Sequence, residues 1–242
     1  MTAIRVVSLV PSVTETLLCW GITPVGVTRF CEQPNLFAVG GTKDPNLEAI
    51  LALAPDVVVL CDQENRREDA TNLEAAGVPI HVIHLLHIDH NDAEMSRLAV
   101  ALGVIGSIRS AAEPQQPRFA PPGERLIRAF VPIWKKPWMS INADTYASSL
   151  LARVGVQNIA AHLPDRYPTL TVEQVNELRP DLVLAPSEPY PFKERHRTQL
   201  EQFAPTEFVD GRDLFWWGAR ANDAQRRLET QLDAIRAKIA GA

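Results

Sequence analysis

Residues 46–62 of the chain read NLEAILALAPDVVVLCD, and this stretch decides the predicted fold. Leu47 and Ile50 recur at helical spacing, so the first half predicts a helix with one apolar side. Pro55 ends that helix, because a proline disfavours helical geometry in the residue before it. The run at 57–60, VVVL, has no polar side, which is typical of a strand covered on both faces of a parallel sheet.

The same unit returns at residues 172–187, VEQVNELRPDLVLAPS. Three positions match at a constant offset of 125 residues, Glu48, Pro55 and Asp56 with Glu173, Pro180 and Asp181. A helix, Pro-Asp and an apolar strand are common in α/β proteins, so coincidence is one explanation of the match. The preferred interpretation is a pair of similar α/β lobes, each with one such unit, facing each other across a cleft.

Composition excludes some classes of protein. The 242 residues suffice for one large or two small domains, and 46% hydrophobic residues allow a substantial core. The formal net charge of −5 argues against a nucleic-acid-binding protein. No stretch approaches the roughly 20 apolar residues of a membrane span. The three cysteines form no evident disulfide framework, and an odd count favours a reducing compartment.

Strands and helices alternate along the chain, which predicts parallel βαβ units. Ser12 to Glu15 predicts a capping box that opens the first helix, and Thr171 to Gln174 predicts a second one. We expect strands at residues 4–10, 24–30, 57–60, 79–85, 126–131, 182–185 and 207–209, and a closing amphipathic helix at 219–239.

Domain boundaries follow from a proline-rich segment. Residues 114–123, PQQPRFAPPG, hold four prolines, and neither a helix nor a central strand tolerates that. We therefore predict an N-terminal α/β lobe at residues 1–90, a connector of helix and Pro-rich linker at 91–123, and a C-terminal α/β lobe at 124–242. This is an α/β fold of two Rossmann-like lobes with parallel sheets.

Ligands of open parallel sheets bind beyond the carboxyl ends of the strands, so the residues placed there are the candidate site. In the first lobe these are Ser12, Thr28, Arg29, Cys31, Asp62, Glu64, Asn65 and Arg66. In the second lobe they are Trp134, Trp138, Tyr190, Phe192, Phe215, Trp216 and Trp217, and Glu188 and Arg220 join the candidate site as hydrogen-bonding residues. Four of the five tryptophans follow strands of the second lobe, which predicts a flat surface for a large, partly apolar ligand. The alternative is that these rings close the sheet edge as core.

Metal and nucleophile sites are the weaker interpretations. His81, His84, His87 and His90 resemble a metal cluster, but the odd separation of the first two puts them on opposite faces of a strand. Cys31 and Cys61 follow neighbouring strands, although buried free thiols are the commoner case. Ser12 is explained by the predicted cap.

Acidic residues near the predicted cleft have two interpretations. Glu64, Glu68, Glu188 and Glu194 lie on loops or first helical turns, where acids are favoured by the helix dipole. The functional alternative is that matched glutamates, one per lobe, dock on basic residues of a partner protein.

Several segments resemble one known family in their combined order. These are RVVSLVPSVTETL at 5–17, GVTRFCEQP at 26–34, GGTKDPNLEAILALAPDVVVL at 40–60, RYPTLTVEQV at 166–175 and DGRDLFWWGAR at 210–220. They are similar to the vitamin B12 (cobalamin)-binding substrate-binding proteins of ABC importers, over nearly the whole chain apart from the linker.

The resemblance implies a non-catalytic, class III binding protein of the helical-backbone type that grips its ligand between lobes. It implies ligand contacts at Trp134 and Trp138, at residues 215–217 and at residues 61–65. It also implies docking on a permease through one glutamate per lobe, with Glu68, Glu188 and Glu194 as candidates. The chain departs from the family in its shortened connector, which holds Pro114, Pro117, Pro121 and Pro122.

The family resemblance and the N-terminal residues predict different cellular locations. An importer's receptor works outside the cytoplasm, whereas no export signal or lipoprotein cysteine is recognised in this chain, which favours a cytoplasmic protein. We expect a monomer without a resident cofactor or bound metal.

Three functions remain from the sequence. The first is corrinoid binding, with Asn65, Arg66, Glu188 and Arg220 bonding to the amide rim of the macrocycle. The second is binding of a ferric siderophore or haem on the same scaffold through Arg29, Arg66 and Arg195. The third is a chelatase-like tetrapyrrole enzyme, which would need His162 or His196 in the cleft.

Overall fold

The computed structural model describes residues 4–104 and 126–240. Its chain divides into two compact units, each with its own parallel sheet. Within the described residues, the first unit holds 4–85, 89–104 and 217–219, and the second holds 86–88, 126–216 and 220–240. The prolines of the predicted connector lie outside the described residues, so the boundaries at 90 and 123 stay a prediction, as does the cleft.

The first unit is built on four parallel strands. Its elements in chain order are β1 (Val6–Ser8), α1 (Pro11–Cys19), β2 (Gly26–Val27), α2 (Leu47–Ala52), β3 (Val57–Cys61), α3 (Arg67–Ala75), β4 (Ile80–Ile83) and α4 (Asn91–Ala101). The strand order is β2-β1-β3-β4. Every residue of β3 is buried, which confirms the prediction that this apolar run is covered on both faces. Ile50 of α2 packs with Val58 and Leu60 of β3 in the core of the unit.

The second unit repeats this plan. Its elements are β5 (Ile127–Phe130), β6 (Trp138–Met139), α5 (Tyr146–Arg153), β7 (Val156–Asn158), β8 (Thr169–Leu170), α6 (Val172–Glu177), β9 (Leu182–Pro186), α7 (Arg197–Leu200), β10 (Thr206–Val209), α8 (Gly211–Phe215) and α9 (Ala221–Ala240). Four parallel strands lie in the order β10-β9-β5-β7, and β6 and β8 form a separate antiparallel pair. Phe130, Val183 and Phe203 lie in its core.

The duplication predicted from sequence extends to the bounds of the elements. α6 begins and ends 125 residues after α2, and β9 begins and ends 125 residues after β3. Each of these helices carries a side-chain cap at the same offset, Asn46 accepting from the Ala49 amide and Thr171 accepting from the Gln174 amide. Listed from its other edge, the second sheet has the order β7-β5-β9-β10, which matches β2-β1-β3-β4 strand for strand. Because the two sheets share this order and carry the helix–strand unit at the same place, coincidence is a poor explanation.

The Pro-Asp turn of each unit is tied to the first strand of its sheet in the same way. The Arg5 amide donates to the Asp56 carboxylate at 2.7 Å, and the Arg128 amide donates to the Asp181 carboxylate at 3.0 Å. Each arginine side chain also donates to the carbonyls that end the preceding helix. These bonds satisfy acceptors that a helix end leaves open, so the turn is held in a single geometry.

One predicted helix start is wrong. The Ser12 capping box is absent, because α1 begins at Pro11 with Val10 at its N-cap and no side-chain cap. A proline suits the first helical position, since its fixed φ is helical and it has no N–H to leave open. Ser12 is therefore inside the helix, whereas the Thr171 capping box is confirmed.

Residues 217–219 pack with the first unit, although the sequence places them in the second lobe. The Gly218 amide donates to Asn91 Oδ1 at 2.7 Å, and the Ala219 amide donates to Thr16 Oγ1 at 3.1 Å. Gly218 has a φ of +86°, and a Cβ there would lie 2.2 Å from Thr16 Oγ1, so a glycine is required.

No helix in residues 4–104 or 126–240 has both the length and the apolarity needed to span a lipid bilayer.

Candidate functional site

The carboxyl edge of the first sheet rests on a chain of buried polar side chains. Thr14 Oγ1 donates to Ser8 Oγ at 2.9 Å and lies 3.2 Å from Cys31 Sγ, which is also 3.2 Å from Thr28 Oγ1. Thr28, Cys31 and Ser12, three of the predicted ligand contacts, are buried here. They support the edge from inside and form none of its surface.

Arg29 and the ring next to it do reach the surface. The Arg29 guanidinium bonds to both carboxylate oxygens of Asp44 at 3.0 Å and lies 4.9 Å from the Phe30 ring centroid. Phe30 is 49% exposed and Phe37 is 55% exposed, and sequence reasoning missed both. The signal for Phe30 was its position directly after Arg29 at the end of a strand. This edge therefore offers an aromatic surface beside a paired guanidinium.

Asn65 is a structural residue of this edge. Its side-chain oxygen accepts from the Cys61 amide at 2.8 Å, and its Nδ2 donates to the carbonyls of Leu9 and Thr42 at 3.1 and 3.0 Å. The amide thus ties the ends of β1 and β3 to the loop before α2. Both N–H groups of Asn65 already have protein partners, so the structure gives this residue a structural role, and its contact with a ligand amide rim stays a prediction.

Charged residues around Asn65 are paired at the surface. Asp62 Oδ2 lies 2.5 Å from His84 Nδ1, and Arg66 bonds to both oxygens of Asp69 at 2.9 Å. The Asp69 carboxylate raises the pKa of Arg66 above its ordinary value. Glu64 is half-buried. These groups can donate to or accept from a polar rim without leaving the protein surface.

Metal and thiol chemistry find no support at this edge. Among residues 4–104 and 126–240, no group of three or more His, Cys, Asp and Glu side chains could hold a metal ion. Burial raises the pKa of the Cys61 thiol to about 12, so Cys61 is a protonated core residue at neutral pH. His81 is half-buried on β4, and burial lowers its pKa below the ordinary value.

An aromatic cluster occupies the carboxyl edge of the second sheet, after β5 and β9. Trp134 meets Tyr190 edge to face with ring centroids 5.3 Å apart, and Tyr190 lies 4.6 Å from Phe192. Trp138 stacks on Phe192 at 6.3 Å with an interplanar angle of 11°. Trp134 is 46% exposed and Tyr190 is half-buried, so these two rings present the surface of the cluster.

The four tryptophans of the predicted platform have different surroundings, and their contact with a ligand stays a prediction. Trp138 packs against the core through Phe130 and Phe203 as well as Phe192. Trp216 has two guanidiniums near its ring, Arg212 at 5.3 Å and Arg220 at 5.5 Å from the centroid. Trp217 is 4% exposed and belongs to the first unit. Of these four tryptophans Trp134 is the exposed one, while Trp138 and Trp216 are half-buried.

Arg220 is held by a buried carboxylate. Asp213 on α8 accepts from Arg220 Nη1 at 2.9 Å and from Arg227 Nε and Nη2 at 2.6 Å each. Tyr146 is buried beside them, and its hydroxyl has no hydrogen-bond partner among the described residues. Burial is the main cause of the raised pKa of Tyr146. Phe215 is half-buried at the end of α8. Arg220 is therefore fixed in orientation against Trp216.

Basic side chains that are not among the candidate site residues surround Tyr190. Lys135 Nζ lies 5.9 Å from the Tyr190 ring centroid and donates to Gln199 Oε1 at 2.7 Å. His196 packs on the same ring at a centroid distance of 5.6 Å. Lys193 and Arg195 precede His196 in the chain and are exposed. The sequence signal was the run KERHR after the loop that follows β9.

The three predicted docking glutamates differ in their surroundings. Glu68 is exposed on the first turn of α3. Glu188 is half-buried, and a Cβ on Gly211 would meet its backbone and side chain within 2.8 Å. Glu194 is paired with Arg197 through both oxygens at 2.5 and 3.1 Å, and Arg197 lowers its pKa. Glu68 is the candidate that a partner reaches with the least rearrangement.

The second unit also contains an open pocket of about 330 Å³ at the start of α6. It is lined by Leu163, Pro164, Asp165, Pro168, Thr169, Leu170, Gln174, Glu177 and Leu178. None of the predicted site residues lines it.

The chain is similar in sequence to vitamin B12-binding proteins. It is 26% identical over 189 residues to the one from Salmonella paratyphi A, covering 74% of this chain and 71% of that protein. It is 26% identical over 198 residues to the one from Pectobacterium carotovorum, covering 76% and 72%. No family model matches the chain.

Solved structures of periplasmic binding proteins share the fold. The vitamin B12-binding protein BtuF of Vibrio cholerae superposes with a TM-score of 0.78 at 21% identity, covering 96% of this chain and 97% of that one. A periplasmic haem-binding protein from Pseudomonas aeruginosa gives 0.78 at 22% identity, covering 94% and 91%. The predicted binding-protein fold and the resemblance to the vitamin B12-binding proteins are both confirmed.

Proposed function

From its relationship to the vitamin B12-binding proteins, we propose that this chain is a non-catalytic binding protein for cobalamin or a related corrinoid. The single observation that carries the proposal is the sequence similarity over about three quarters of the chain to proteins named for that ligand. The fold agrees with it, although haem-binding proteins share the same fold.

The surface of the second unit supplies the physical support. A corrin ring is large and flat with a rim of amides, and it binds well to an aromatic face bordered by donors and acceptors. Trp134 and Tyr190 provide the aromatic face at the carboxyl edge of β5 and β9. In the first unit, Phe30 beside Arg29 is a similar surface at the end of β2.

A titration tests the proposal. Cyanocobalamin is added to the purified chain, and binding is followed by calorimetry and by the corrin absorption bands. We expect saturable binding with one ligand per chain. The absence of both a heat of binding and a change in the absorption bands would refute corrinoid binding.

Aromatic variants test the location of the site. We expect Trp134→Ala and Tyr190→Ala each to weaken binding about ten-fold, because each removes an aromatic contact. Tyr167→Ala is the matched control, since Tyr167 is an exposed aromatic of the same unit outside the strand-end set. Equal effects of all three substitutions would contradict a site at Trp134 and Tyr190.

Haem is the second candidate, favoured by the haem-binding proteins among the structural neighbours. The same titration with haemin separates the two ligands. Haem binding without cobalamin binding would replace the corrinoid in the proposal and leave the binding-protein role intact.

We propose that the chain has neither a catalytic function nor a resident cofactor. The enzyme alternative needed an ordered histidine, but His196 is buried against Tyr190 and Phe192, and His162 lies on an exposed turn. Incubation with a corrinoid or a tetrapyrrole plus divalent metal is expected to return the compound unchanged by chromatography. A new product that requires the protein would overturn this part.

We further propose that the chain works outside the cytoplasm with an ABC permease, as expected of a relative of periplasmic binding proteins. Glu68 is the proposed docking residue of the first unit, because it is exposed on α3. We expect Glu68→Lys to abolish co-purification with the permease while ligand affinity is unchanged. Recovery of the chain only in the cytoplasmic fraction of its native cells would contradict the location.

A further inference from the structure

Three cations and a histidine form a basic corner in the second unit, defined here as Lys135, Lys193, Arg195 and His196. Arg195 Nε lies 3.3 Å from His196 Nε2, and the Lys193 amide lies 3.0 Å from His196 Nδ1. Lys135 reaches the same place from the loop after β5, with its Nζ over the Tyr190 ring. Segments distant in sequence thus bring positive charge to one aromatic surface.

The basic corner holds more donors than acceptors. A neutral imidazole has one N–H and one acceptor nitrogen. Both ring nitrogens of His196 nevertheless face donors, the Lys193 amide at Nδ1 and the Arg195 guanidinium at Nε2. One of these contacts therefore places an N–H against an N–H. An acceptor brought beside Arg195 would draw the guanidinium away and relieve that clash.

The positive charge of the corner is not neutralised within the described residues. Lys135 bonds to the uncharged amide of Gln199, and Arg195 bonds to His196. Glu194 lies between Lys193 and Arg195 in the sequence, but its carboxylate is already paired with Arg197 through both oxygens. The three cations also lower the pKa of His196 below its ordinary value, after burial as the first cause. The surroundings suit an anion with several oxygens.

We propose that the basic corner binds an anionic group of the ligand, which in cobalamin is the phosphodiester of the nucleotide loop. The identification of that group as a phosphodiester rests on the proposed function. Arg195 and the lysines donate to the phosphate oxygens, while Trp134 and Tyr190 contact the neighbouring apolar part. The corner thereby selects corrinoids that keep the nucleotide loop over those that have lost it.

Paired ligands test this selection. Affinities for cyanocobalamin and for dicyanocobinamide, which lacks the nucleotide loop and its phosphate, are measured by calorimetry at low and high salt. The wild-type chain is expected to prefer cobalamin at least about ten-fold, in line with charge-assisted hydrogen bonds to a phosphate. Salt is expected to weaken cobalamin binding more than cobinamide binding, because exposed charges are screened.

The test variant is the double substitution Lys193→Gln, Arg195→Gln. Both side chains are exposed, so the fold is expected to persist, with circular dichroism as the check. The preference for cobalamin should fall to less than about three-fold. The control is Arg226→Gln, Lys238→Gln, which removes the same charge from α9 of the same unit and should keep the preference.

The outcomes separate the two proposals. Corrinoid binding with no preference in the wild type, or with a preference that survives in the test variant, overturns the basic corner and leaves the proposed function standing. If neither corrinoid binds, the proposed ligand is wrong, and haemin with its two carboxylates becomes the probe. Haemin binding lost in the test variant alone would support the corner as an anion site. Haemin binding that is absent or unchanged would overturn it.

Discussion

Replacing Asn65 by alanine distinguishes a structural residue from a ligand contact. The wild-type side chain makes three hydrogen bonds, one from the Cys61 amide and two to the carbonyls of Leu9 and Thr42. The residue is 8% exposed, so water replaces these bonds poorly. The truncation leaves one donor and two acceptors without their partner at the carboxyl edge of the first sheet.

The expected loss follows from those three bonds. A buried hydrogen bond contributes about 1 kcal/mol net, so Asn65→Ala should lower the free energy of unfolding by about 3 kcal/mol. For a protein of this size that corresponds to a fall in Tm of about 6–12 °C. Asn65→Asp should cost more at neutral pH, because the carboxylate keeps the Cys61 bond but faces two carbonyl oxygens.

The assay is thermal unfolding followed by circular dichroism, together with cobalamin titration at a temperature where every variant is folded. Asn72→Ala is the matched control, since Asn72 is exposed on α3, and it should shift Tm by less than about 2 °C. Lower pH should reduce the difference in Tm between Asn65→Asp and the wild type. The introduced carboxyl has a raised folded pKa, and once it is protonated its negative charge no longer faces the two carbonyl oxygens. If Asn65→Ala lowers Tm by less than about 2 °C but abolishes ligand binding, the structural role is refuted.

Three further outcomes are expected from groups outside that edge. In the native protein a thiol reagent at pH 8 should label Cys19, which is exposed, and leave Cys61 unlabelled until denaturant is added, because its pKa is about 12; fast labelling of Cys61 would contradict its burial. Asp213→Asn should lower the free energy of unfolding by about 3 kcal/mol in urea, since a buried carboxylate loses its charge beside two arginines, whereas Asp233→Asn at an exposed pair should cost under about 0.5 kcal/mol. His196 has a folded pKa below 6.5, so the unfolded chain takes up its proton first and stability should fall as the pH drops below about 6.5; a His196→Asn variant with the same pH dependence as the wild type would show that other groups cause it.

The βαβ elements were predictable because their signals are local. The apolar run before Asp62 indicated a strand covered on both faces, and the structure buries all of it. Pro55 and Pro180 marked the helix ends, and the 125-residue offset between them recurs in the bounds of the elements. The Thr171 cap was visible from a residue three positions away. The Ser12 cap failed because Pro11, one residue earlier, is the better first residue of a helix.

The site was predictable only as a location. Sequence placed Trp134, Tyr190 and Arg29 at strand ends, where the structure has them exposed or half-buried. It also placed Thr28 there, which is buried. The sequence overestimates how many of these residues are accessible. A position after a strand shows which edge of the sheet a residue belongs to, but it does not show which side chains cover that residue.

Periodicity, prolines and glycines thus determined by themselves the α/β class, the order of the strands along the chain and the duplication, because these depend on forces between near neighbours. The accessible surface was decided by tertiary structure alone. Trp138 is half-buried against Phe130, Phe192 and Phe203, and Trp216 lies close to Arg212 and Arg220. Lys135 and His196 meet at one tyrosine ring although 61 positions separate them. The exposure of a side chain is set by whatever packs on it, and those partners lie far away in the sequence.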